Sequence, residues 1–197
     1  MHGPEHLHSL GDLPDPTLEL IAEAWQRRAR DAGGICFPFV NEGHDGGASL
    51  PHTHSQLAWL PARPPTVVAE RGLPHLEPVI VRDGVAAGCP TVSRVAYELL
   101  VRPELPESDW RSSDGLGRAL CLVAALLRRL HQLRGGPVGV NVWLHEGTPA
   151  TRAPWHLEVF PRTTRLAGLE LGAGVYVDPV APETAAAQFR AAFRAAG

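Results

Sequence analysis

The stretch Asn41–Pro61, NEGHDGGASLPHTHSQLAWLP, combines three histidines, a glycine-rich turn and an apolar run. The segment before it, Ile35–Asn41 (ICFPFVN), is short and rich in aromatic residues, which predicts a strand, and its proline indicates an edge or a bulge. The segment Pro51–Pro61 (PHTHSQLAWLP) predicts a second strand, antiparallel to the first. We therefore expect a hairpin closed by the glycine turn.

The histidine pair of the second strand predicts an open polar face. Alternate side chains of a strand share one face, so His52, His54 and Gln56 are expected to point the same way. Three hydrogen-bonding groups would be costly against a dry core, and this favours a cleft. The pattern alone leaves three explanations open: a metal site, a buried polar cluster and an imidazole that attacks phosphorus.

The glycine-rich turn is typical of a phosphate-binding loop. Gly43, Gly46 and Gly47 tolerate unusual backbone angles and can turn backbone N–H groups inward. Asn41 and Ser49 add side-chain donors at either end of the turn. Such an arrangement of donors suits a phosphate.

A neutral imidazole beside this loop could act as a nucleophile. Its pKa of ~6.5 makes it competent near neutral pH without an auxiliary base. The pair His52 and His54 could supply an attacking ring and the group that fixes its tautomer. Gln56 could then donate to a non-bridging phosphate oxygen. The same two histidines could instead bind zinc, which is the competing hypothesis of a zinc-dependent enzyme.

The composition of the 197-residue chain is that of a globular protein, with 44% hydrophobic and 20% charged residues. A net charge of -3 gives no electrostatic reason to expect nucleic acid or a membrane surface as a partner. The start has no secretory signal, and no apolar run approaches the ~20 residues that span a bilayer. Cys36, Cys89 and Cys121 are odd in number and far apart, which argues against a disulfide framework. We expect a cytoplasmic, reduced protein.

The remaining chain predicts an α+β fold, an antiparallel sheet covered by helices. Helical periodicity and helix-start signals predict helices over Pro16–Ala32, Ser112–Arg134 and Pro182–Ala196. Further strands are predicted over Glu77–Gly84, Ser93–Pro103, Val138–Gly147 and Trp155–Arg162. The proline-rich segment Pro61–Thr66 is the candidate boundary between a unit over 1–62 and a unit over 63–197.

Three segments carry a resemblance to a known family. Asn41–Leu57 (NEGHDGGASLPHTHSQL) resembles the active-site signature of the galactose-1-phosphate uridylyltransferase branch of the histidine-triad superfamily. Gly3–Arg28 resembles the segment before that signature, and Trp155–Arg190 resembles the family's C-terminal segment. The resemblance implies a partial first histidine-triad unit over 1–62, a complete second unit over 63–197, and a chain that begins later than the family's.

The resemblance implies a ping-pong nucleotidyl transfer. His54 would attack the α-phosphorus of a nucleoside diphosphate sugar, expel a sugar 1-phosphate and hold the nucleotide until a second sugar phosphate collects it. The catalytic group would comprise His54, Gln56 and His52. Substrate and phosphate contacts are expected from Asn41, Gly47, Ser49, Arg162, Arg165, Glu170 and Tyr176.

The resemblance also bears on metals and partners. His6 and His52 match zinc-binding positions, but the family's cysteine pair is missing, so we expect a zinc site that is lost or rebuilt. His156 matches a histidine that sometimes binds iron, and Glu158 replaces a second such histidine. A homodimer is implied, in which the tail of one subunit completes the cleft of the other.

Two departures leave the reaction open. Tyr176 stands where the uridylyltransferase tail has a glutamine for the sugar phosphate, and the "WHxE" pattern around His156 is shared with relatives that are ADP-glucose phosphorylases. The acceptor could therefore be a sugar phosphate or inorganic phosphate. Two further hypotheses stay open: a hydrolase acting through the same histidine, and a non-catalytic nucleotide-binding protein.

Overall fold

The structure is a computed structural model that describes residues 2–3, 5–70, 72–147 and 153–195. Its strands are β1 (Ile35–Glu42), β2 (Ser55–Leu60), β3 (Leu76–Arg82), β4 (Val85–Pro90), β5 (Leu99–Pro103), β6 (Val140–His145) and β7 (His156–Pro161). Its α-helices are α1 (Asp15–Ala32), α2 (Pro65–Ala69), α3 (Gly115–Arg134), α4 (Gly168–Ala173) and α5 (Pro182–Arg194). Short 3-10 helices lie at Leu10–Asp12 and Trp110–Ser112.

The seven strands form a single antiparallel sheet in the order β2-β1-β6-β7-β5-β4-β3. The first hairpin joins the rest of the sheet through β1 and β6, where Val40 lies opposite Val142. The expected α+β class with an antiparallel sheet is confirmed. Both predicted units contribute strands to this sheet, and their division at residue 62 stays a prediction.

One face of the sheet is covered by helices. The apolar stripe of α3, formed by Leu116, Leu120, Val123, Leu127 and Leu130, is fully buried there and packs with side chains of α1, α5 and the strands in one core. Trp25 of α1 lies in that core, and its indole N–H donates to the hydroxyl of Ser55 at 2.9 Å. This bond fixes the start of β2 against α1.

The opposite face of the sheet carries aromatic and polar side chains. In register across four strands, Gln56 lies opposite Phe39, Phe39 opposite Trp143, and Trp143 opposite Glu158. Val40, Val142 and Val159, one position along these strands, point into the helix-covered core. Strand alternation therefore separates an apolar core from a polar face on which a ligand could lie.

Several predicted boundaries were wrong. The second strand begins at Ser55 rather than Pro51, and the residues from Pro51 to His54 form an irregular segment. β1 is an interior strand rather than an edge, and Pro38 is tolerated because the ladder to β6 begins only at Phe39. Strand β4 and helices α2 and α4 were not predicted. None of the described helices is long and apolar enough to cross a bilayer.

Candidate active site

The loop between β1 and β2 is a tight glycine turn. Gly43 and Gly47 have φ values of +70° and +74°, which favour glycine. At Gly46 an added Cβ would lie 2.1 Å from the carbonyl oxygen of Glu42, so only glycine fits the close approach of the two backbones. The N–H groups of Gly47 and Ala48 donate to carbonyls within the loop at 3.0 and 3.1 Å. Those two N–H groups close the turn, so a phosphate would depend on other donors.

His54 has a defined tautomer. Its Nδ1 lies 3.0 Å from the carbonyl oxygen of His52, so Nδ1 carries the proton that it donates to that oxygen. Nε2 is then left with an in-plane lone pair. The His54 side chain is 7% exposed, and its ring centroid lies 6.1 Å from that of His52. Although the two histidines do not lie in a strand, they remain neighbours.

A pair of asparagines borders the loop. The amide nitrogen of Asn141, on β6, donates to the side-chain oxygen of Asn41 and to the carbonyl oxygen of Gly46, both at 2.7 Å. This leaves the amide nitrogen of Asn41 as a donor and fixes its direction. Ser49 and Gln56 are exposed and can also donate. The role of Asn141 was missed from sequence, although two neighbouring strands in register would have placed the asparagines opposite each other.

A cavity of about 580 Å³ borders the loop on the side of the first 3-10 helix. Ser49, Glu42, His8 and His131 are among the residues that line it, but His54 and Gln56 are not. The cavity therefore does not by itself mark the position of a phosphate next to His54.

The two predicted zinc ligands lie together. The rings of His6 and His52 have centroids 5.4 Å apart. Removal from water and the neighbouring imidazoles, His6 first, lower the pKa of His52. Within the residues described, no group of three or more metal-ligating side chains includes either histidine. Zinc binding by this pair stays a prediction.

A second cluster fits a metal ion better. Glu70, His145, His156 and Glu158 each offer a ligand atom, and these atoms all lie within 4.8 Å of one another. His156 donates its Nδ1 proton to the carbonyl oxygen of Pro154 at 3.1 Å, so its Nε2 faces the carboxylates. That Nε2 lies 3.7 Å from one oxygen of each glutamate, too far for hydrogen bonds. Two imidazoles and two carboxylates at this spacing suit a divalent transition metal.

Arg94 supports this cluster from the side. Its guanidinium bridges Glu98 and Glu158, two buried carboxylates. The backbone of Tyr97 has a φ of 65°, unusual for a bulky residue, and this turn brings Glu98 back onto Arg94. Burial alone would raise the pKa of Glu158, but the neighbouring histidines and Arg94 lower it to about 2. Glu158 is therefore an ionised ligand near neutral pH.

Sequence reasoning placed only part of this cluster. His156 and Glu158 were identified as candidate ligand positions, His145 was noted only as a residue near a strand end with no motif support, and Glu70 and Arg94 were not considered. A signal existed for His145, because it lies near the end of one predicted strand and His156 lies near the start of the next, and an antiparallel pairing of the two strands places them opposite each other. Glu70 lies 75 residues from His145 and has no local signature.

The two predicted arginines follow β7. The backbone N–H of Arg162 donates to the carbonyl oxygen of Gly139 at 2.8 Å, and its guanidinium lies 5.9 Å from the ring centroid of Phe160. Arg162 is thereby held beside the start of β6, and Arg165 is exposed. Phosphate binding by either arginine stays a prediction.

The tail that follows carries the other two predicted residues. Glu170 accepts a hydrogen bond from the backbone N–H of Ala167 at 2.9 Å, which lowers its pKa and caps α4. Tyr176 is 39% exposed. Large apolar side chains are exposed along this tail at Leu169, Leu171, Val175 and Val177. An apolar strip of this kind indicates a contact surface.

Comparisons with known proteins identify two relatives by sequence. No protein-family model matches the chain. An ADP-glucose phosphorylase from Arabidopsis thaliana is 25% identical over 96% of this chain and 62% of its own length. A galactose-1-phosphate uridylyltransferase from Thermotoga maritima is 24% identical over 94% of this chain and 70% of its own length. The chain thus spans less than two thirds of the phosphorylase.

Solved structures share the fold. A uridylyltransferase structure superposes with a TM-score of 0.86 at 24% identity, covering 98% of this chain and 73% of that one. The structure of an Arabidopsis thaliana ADP-glucose phosphorylase with bound ADP-glucose superposes with a TM-score of 0.83 at 22% identity, covering 96% and 71%.

Proposed function

Because the chain is a member of the galactose-1-phosphate uridylyltransferase-like branch of the histidine-triad superfamily, we propose that it is a nucleotidyltransferase acting through a covalent nucleotidyl-His54. Its donor is a nucleoside diphosphate sugar, and its acceptor is a sugar phosphate. The observation that carries this proposal is the hydrogen bond from His54 Nδ1 to the carbonyl of His52, which in the neutral ring leaves Nε2 as the nitrogen with the free lone pair.

The first half-reaction begins at Nε2 of His54. Its lone pair forms a bond to the α-phosphorus of the donor, while the bond from that phosphorus to the bridging oxygen breaks. The electron pair leaves with the sugar 1-phosphate. The ring becomes positively charged as the new bond forms, and the His52 carbonyl oxygen, which accepts a hydrogen bond from Nδ1 at 3.0 Å, stabilises that charge.

The groups around the loop supply the phosphate contacts. Asn41, whose side-chain oxygen is held by Asn141, donates through its amide nitrogen, and exposed Gln56 and Ser49 donate to non-bridging oxygens. Gly47 permits the turn that brings Ser49 near. Negative charge grows on those oxygens in the transition state, so fixed donors lower the barrier. In the second half-reaction an acceptor oxygen attacks the same phosphorus and His54 leaves.

A phosphorylase is the second candidate. It uses the same nucleotidyl-His54 but passes the nucleotide to inorganic phosphate. The relative from Arabidopsis thaliana, described as an ADP-glucose phosphorylase, favours this second candidate, as does Tyr176 in place of the tail glutamine. Water as acceptor would make the protein a hydrolase.

We propose that Glu70, His145, His156 and Glu158 hold a divalent metal ion. The ion would neutralise two carboxylates and tie the segment after α2 to β6 and β7. The contribution of the ion would be structural, because the four side chains can fill four coordination positions and leave none open for a substrate. Such a site is expected to raise stability rather than to take part in nucleotidyl transfer.

The exposed tail supports a homodimer. Leu171 is 74% exposed, and Leu169, Val175 and Val177 are each at least half exposed. We propose that this strip packs on a second copy and carries Arg165, Glu170 and Tyr176 to the partner's cleft. Light scattering should give twice the mass of one chain, and a Leu171→Asp variant should be monomeric. A wild-type monomer with full activity would contradict this.

Isotope exchange tests the two-step reaction. The mixture contains a nucleoside diphosphate sugar and the matching labelled sugar 1-phosphate, but no second acceptor. The label should appear in the nucleoside diphosphate sugar, because the first half-reaction is reversible without the second acceptor. ADP-sugars and UDP-sugars are compared as donors. The His54→Gln variant should lose isotope exchange. The control variant His75→Gln, which changes an exposed histidine, should keep it. Exchange that survives in His54→Gln would refute the nucleophile.

Product analysis separates the candidates. Release of a nucleoside diphosphate that requires added inorganic phosphate identifies a phosphorylase, and formation of a new nucleotide sugar with a sugar phosphate identifies a transferase. Nucleotide binding without exchange or product would identify a non-catalytic nucleotide-binding protein.

A further inference from the structure

The residue between the two histidines, Thr53, is held by hydrogen bonds to three other segments. Its backbone N–H donates to the carbonyl of Leu7 at 2.7 Å, and its carbonyl accepts from the backbone N–H of His2 at 3.4 Å. Its hydroxyl donates to a carboxylate oxygen of Glu42 at 2.7 Å. Nδ1 of His2 donates to the same hydroxyl at 3.1 Å. Thr53 is 4% exposed, so these bonds replace water rather than compete with it.

Glu42 is the centre of this arrangement. Its side chain is 3% exposed and lies on the helix-covered face of β1. Besides Thr53, it accepts from the backbone N–H of Leu10 at 2.6 Å and from the hydroxyl of Ser9 at 2.8 Å. Burial raises the pKa of Glu42, and the hydrogen bonds from Thr53, Ser9 and Leu10 oppose that shift, because all three partners donate to the carboxylate. The 3-10 helix fixes Ser9 through its capping box with Asp12.

Each hydroxyl that contacts Glu42 can donate to the carboxylate and accept from another group at the same time. The hydroxyl of Ser9 accepts from the N–H of Gly11 at 3.0 Å and donates to Glu42. The hydroxyl of Thr53 accepts from His2 and donates to Glu42. Each hydrogen bond in this path therefore pairs one donor with one acceptor. A buried network of hydrogen bonds of this kind holds its members in one geometry.

The tautomer of His54 depends on where the residues around Thr53 lie. The carbonyl that orients the ring belongs to His52, immediately before Thr53, and the ring itself belongs to the residue after it. The distance between them is therefore set by the backbone of Thr53. Because this segment is not in a strand, no ladder fixes it, and the bonds to Glu42, Leu7 and His2 take that role.

We propose that Glu42 and Thr53 are positioning residues, which hold the irregular segment before β2 so that Nδ1 of His54 meets the His52 carbonyl and Nε2 stays free for attack. The proposal rests on the proposed function for its catalytic consequence, but its structural part does not require any substrate. It assigns a task to a buried acid on the helix-covered face of β1.

The test uses a near-isosteric substitution. Thr53→Val removes the hydroxyl and keeps the β-branched shape, and Thr53→Ser keeps the hydroxyl. Tyr97→Phe is the control, because it also deletes one hydrogen-bonded hydroxyl from a buried side chain, here the 2.7 Å bond to Gln188, far from the loop in sequence. Circular dichroism and urea unfolding confirm that each full-length variant is folded.

The first readout is spectroscopic. In histidine-labelled protein at pH 8, long-range proton–nitrogen correlation spectra report which ring nitrogen of His54 carries the proton, and His54→Gln assigns the signal. Wild type, Thr53→Ser and Tyr97→Phe should show protonated Nδ1. Thr53→Val should show a mixture of tautomers. If the folded Thr53→Val variant keeps the wild-type tautomer, the proposal is overturned, whatever the enzyme's activity.

The second readout is kinetic. Single-turnover formation of the nucleotide adduct should slow about 10–100-fold in Thr53→Val, since a displacement on the order of 1 Å has that effect. Donor affinity should change less than about threefold, because no phosphate contact is removed. Thr53→Ser should restore the rate. If wild type itself forms no adduct, the proposed function fails, and the spectra alone decide the role of Thr53.

Discussion

Removing Arg94 should destabilise the protein strongly, and the loss should depend on pH. Its guanidinium bridges Glu98 and Glu158, whose side chains are 3% and 8% exposed. Breaking a buried ion pair by deleting one partner costs about 3–5 kcal/mol, because a charge remains without compensation. Two carboxylates share this one cation, so we expect Arg94→Ala to lose about 4 kcal/mol of unfolding free energy at pH 7.

The pH dependence follows from the two carboxyl groups. Burial already raises the pKa of Glu98 despite Arg94, so without Arg94 the folded-state pKa of Glu98 rises further above the unfolded value. The pKa of Glu158 also rises when Arg94 is removed, although His156 and His145 still lower it. The folded variant then binds more protons than the unfolded chain, so its stability increases as pH falls through those pKa values. In the wild type the pKa of Glu158 is lowered to about 2, so this residue does not change the free energy of unfolding between pH 7 and pH 5. The gap between variant and wild type should therefore narrow at pH 5.

Urea unfolding followed by tryptophan fluorescence measures this gap. Arg82→Ala is the matched control, because Arg82 pairs with Asp83 at the surface, where both side chains are more than half exposed, and should lose less than about 1 kcal/mol. Added Mn²⁺ should stabilise Arg94→Ala more than wild type, since the ion replaces the lost positive charge among the glutamates. A loss below about 1 kcal/mol for Arg94→Ala, equal at both pH values, would refute the reasoning.

Two further predictions concern the loop and its neighbours. Gly46→Ala should lose about 1–3 kcal/mol of unfolding free energy and slow adduct formation at least ~10-fold, because its Cβ would lie 2.1 Å from the Glu42 carbonyl oxygen. The control Gly136→Ala, which has open space around the added Cβ, should match wild type in both assays. Burial lowers the pKa of His2 from 6.5 to about 4 in the folded protein. As pH falls from 6.5 to 4, His2 is therefore protonated in the unfolded chain but not in the folded protein, and the free energy of unfolding decreases across that window. In urea unfolding, His2→Gln should show a shallower drop there, by about 2 kcal/mol after allowance for solvent screening, and an identical pH slope in the variant would count against this assignment.

Local patterns predicted most of the fold. The stripe of α3 and the alternation of β1, β6 and β7 each depend on side chains close in sequence, and these elements formed where periodicity placed them. The start of β2 failed for a physical reason. Thr53 finds its backbone partners in the N-terminal segment at His2 and Leu7, and no local pattern could show that this segment competes with β1 for those bonds.

The candidate site divides in the same way. The loop glycines and the histidine pair belong to one continuous motif, so the sequence brought them together. Glu42 and Asn141 act through contacts with residues brought near by folding, 33 and 100 positions away in the bonds to Ser9 and Asn41. A buried acid at the end of a strand has many ordinary explanations, and only its three donors, which the sequence does not show, point to the positioning role that we propose.

The most direct test of the nucleotidyl-His54 mechanism is to locate the nucleotide on the protein. Wild-type protein is incubated with a nucleoside diphosphate sugar, quenched at alkaline pH to protect a phosphoramidate, digested and analysed by tandem mass spectrometry. We expect one nucleoside monophosphate on His54 and none in His54→Gln. An adduct on a different histidine, or no adduct with any donor that the protein binds and turns over, would contradict the mechanism.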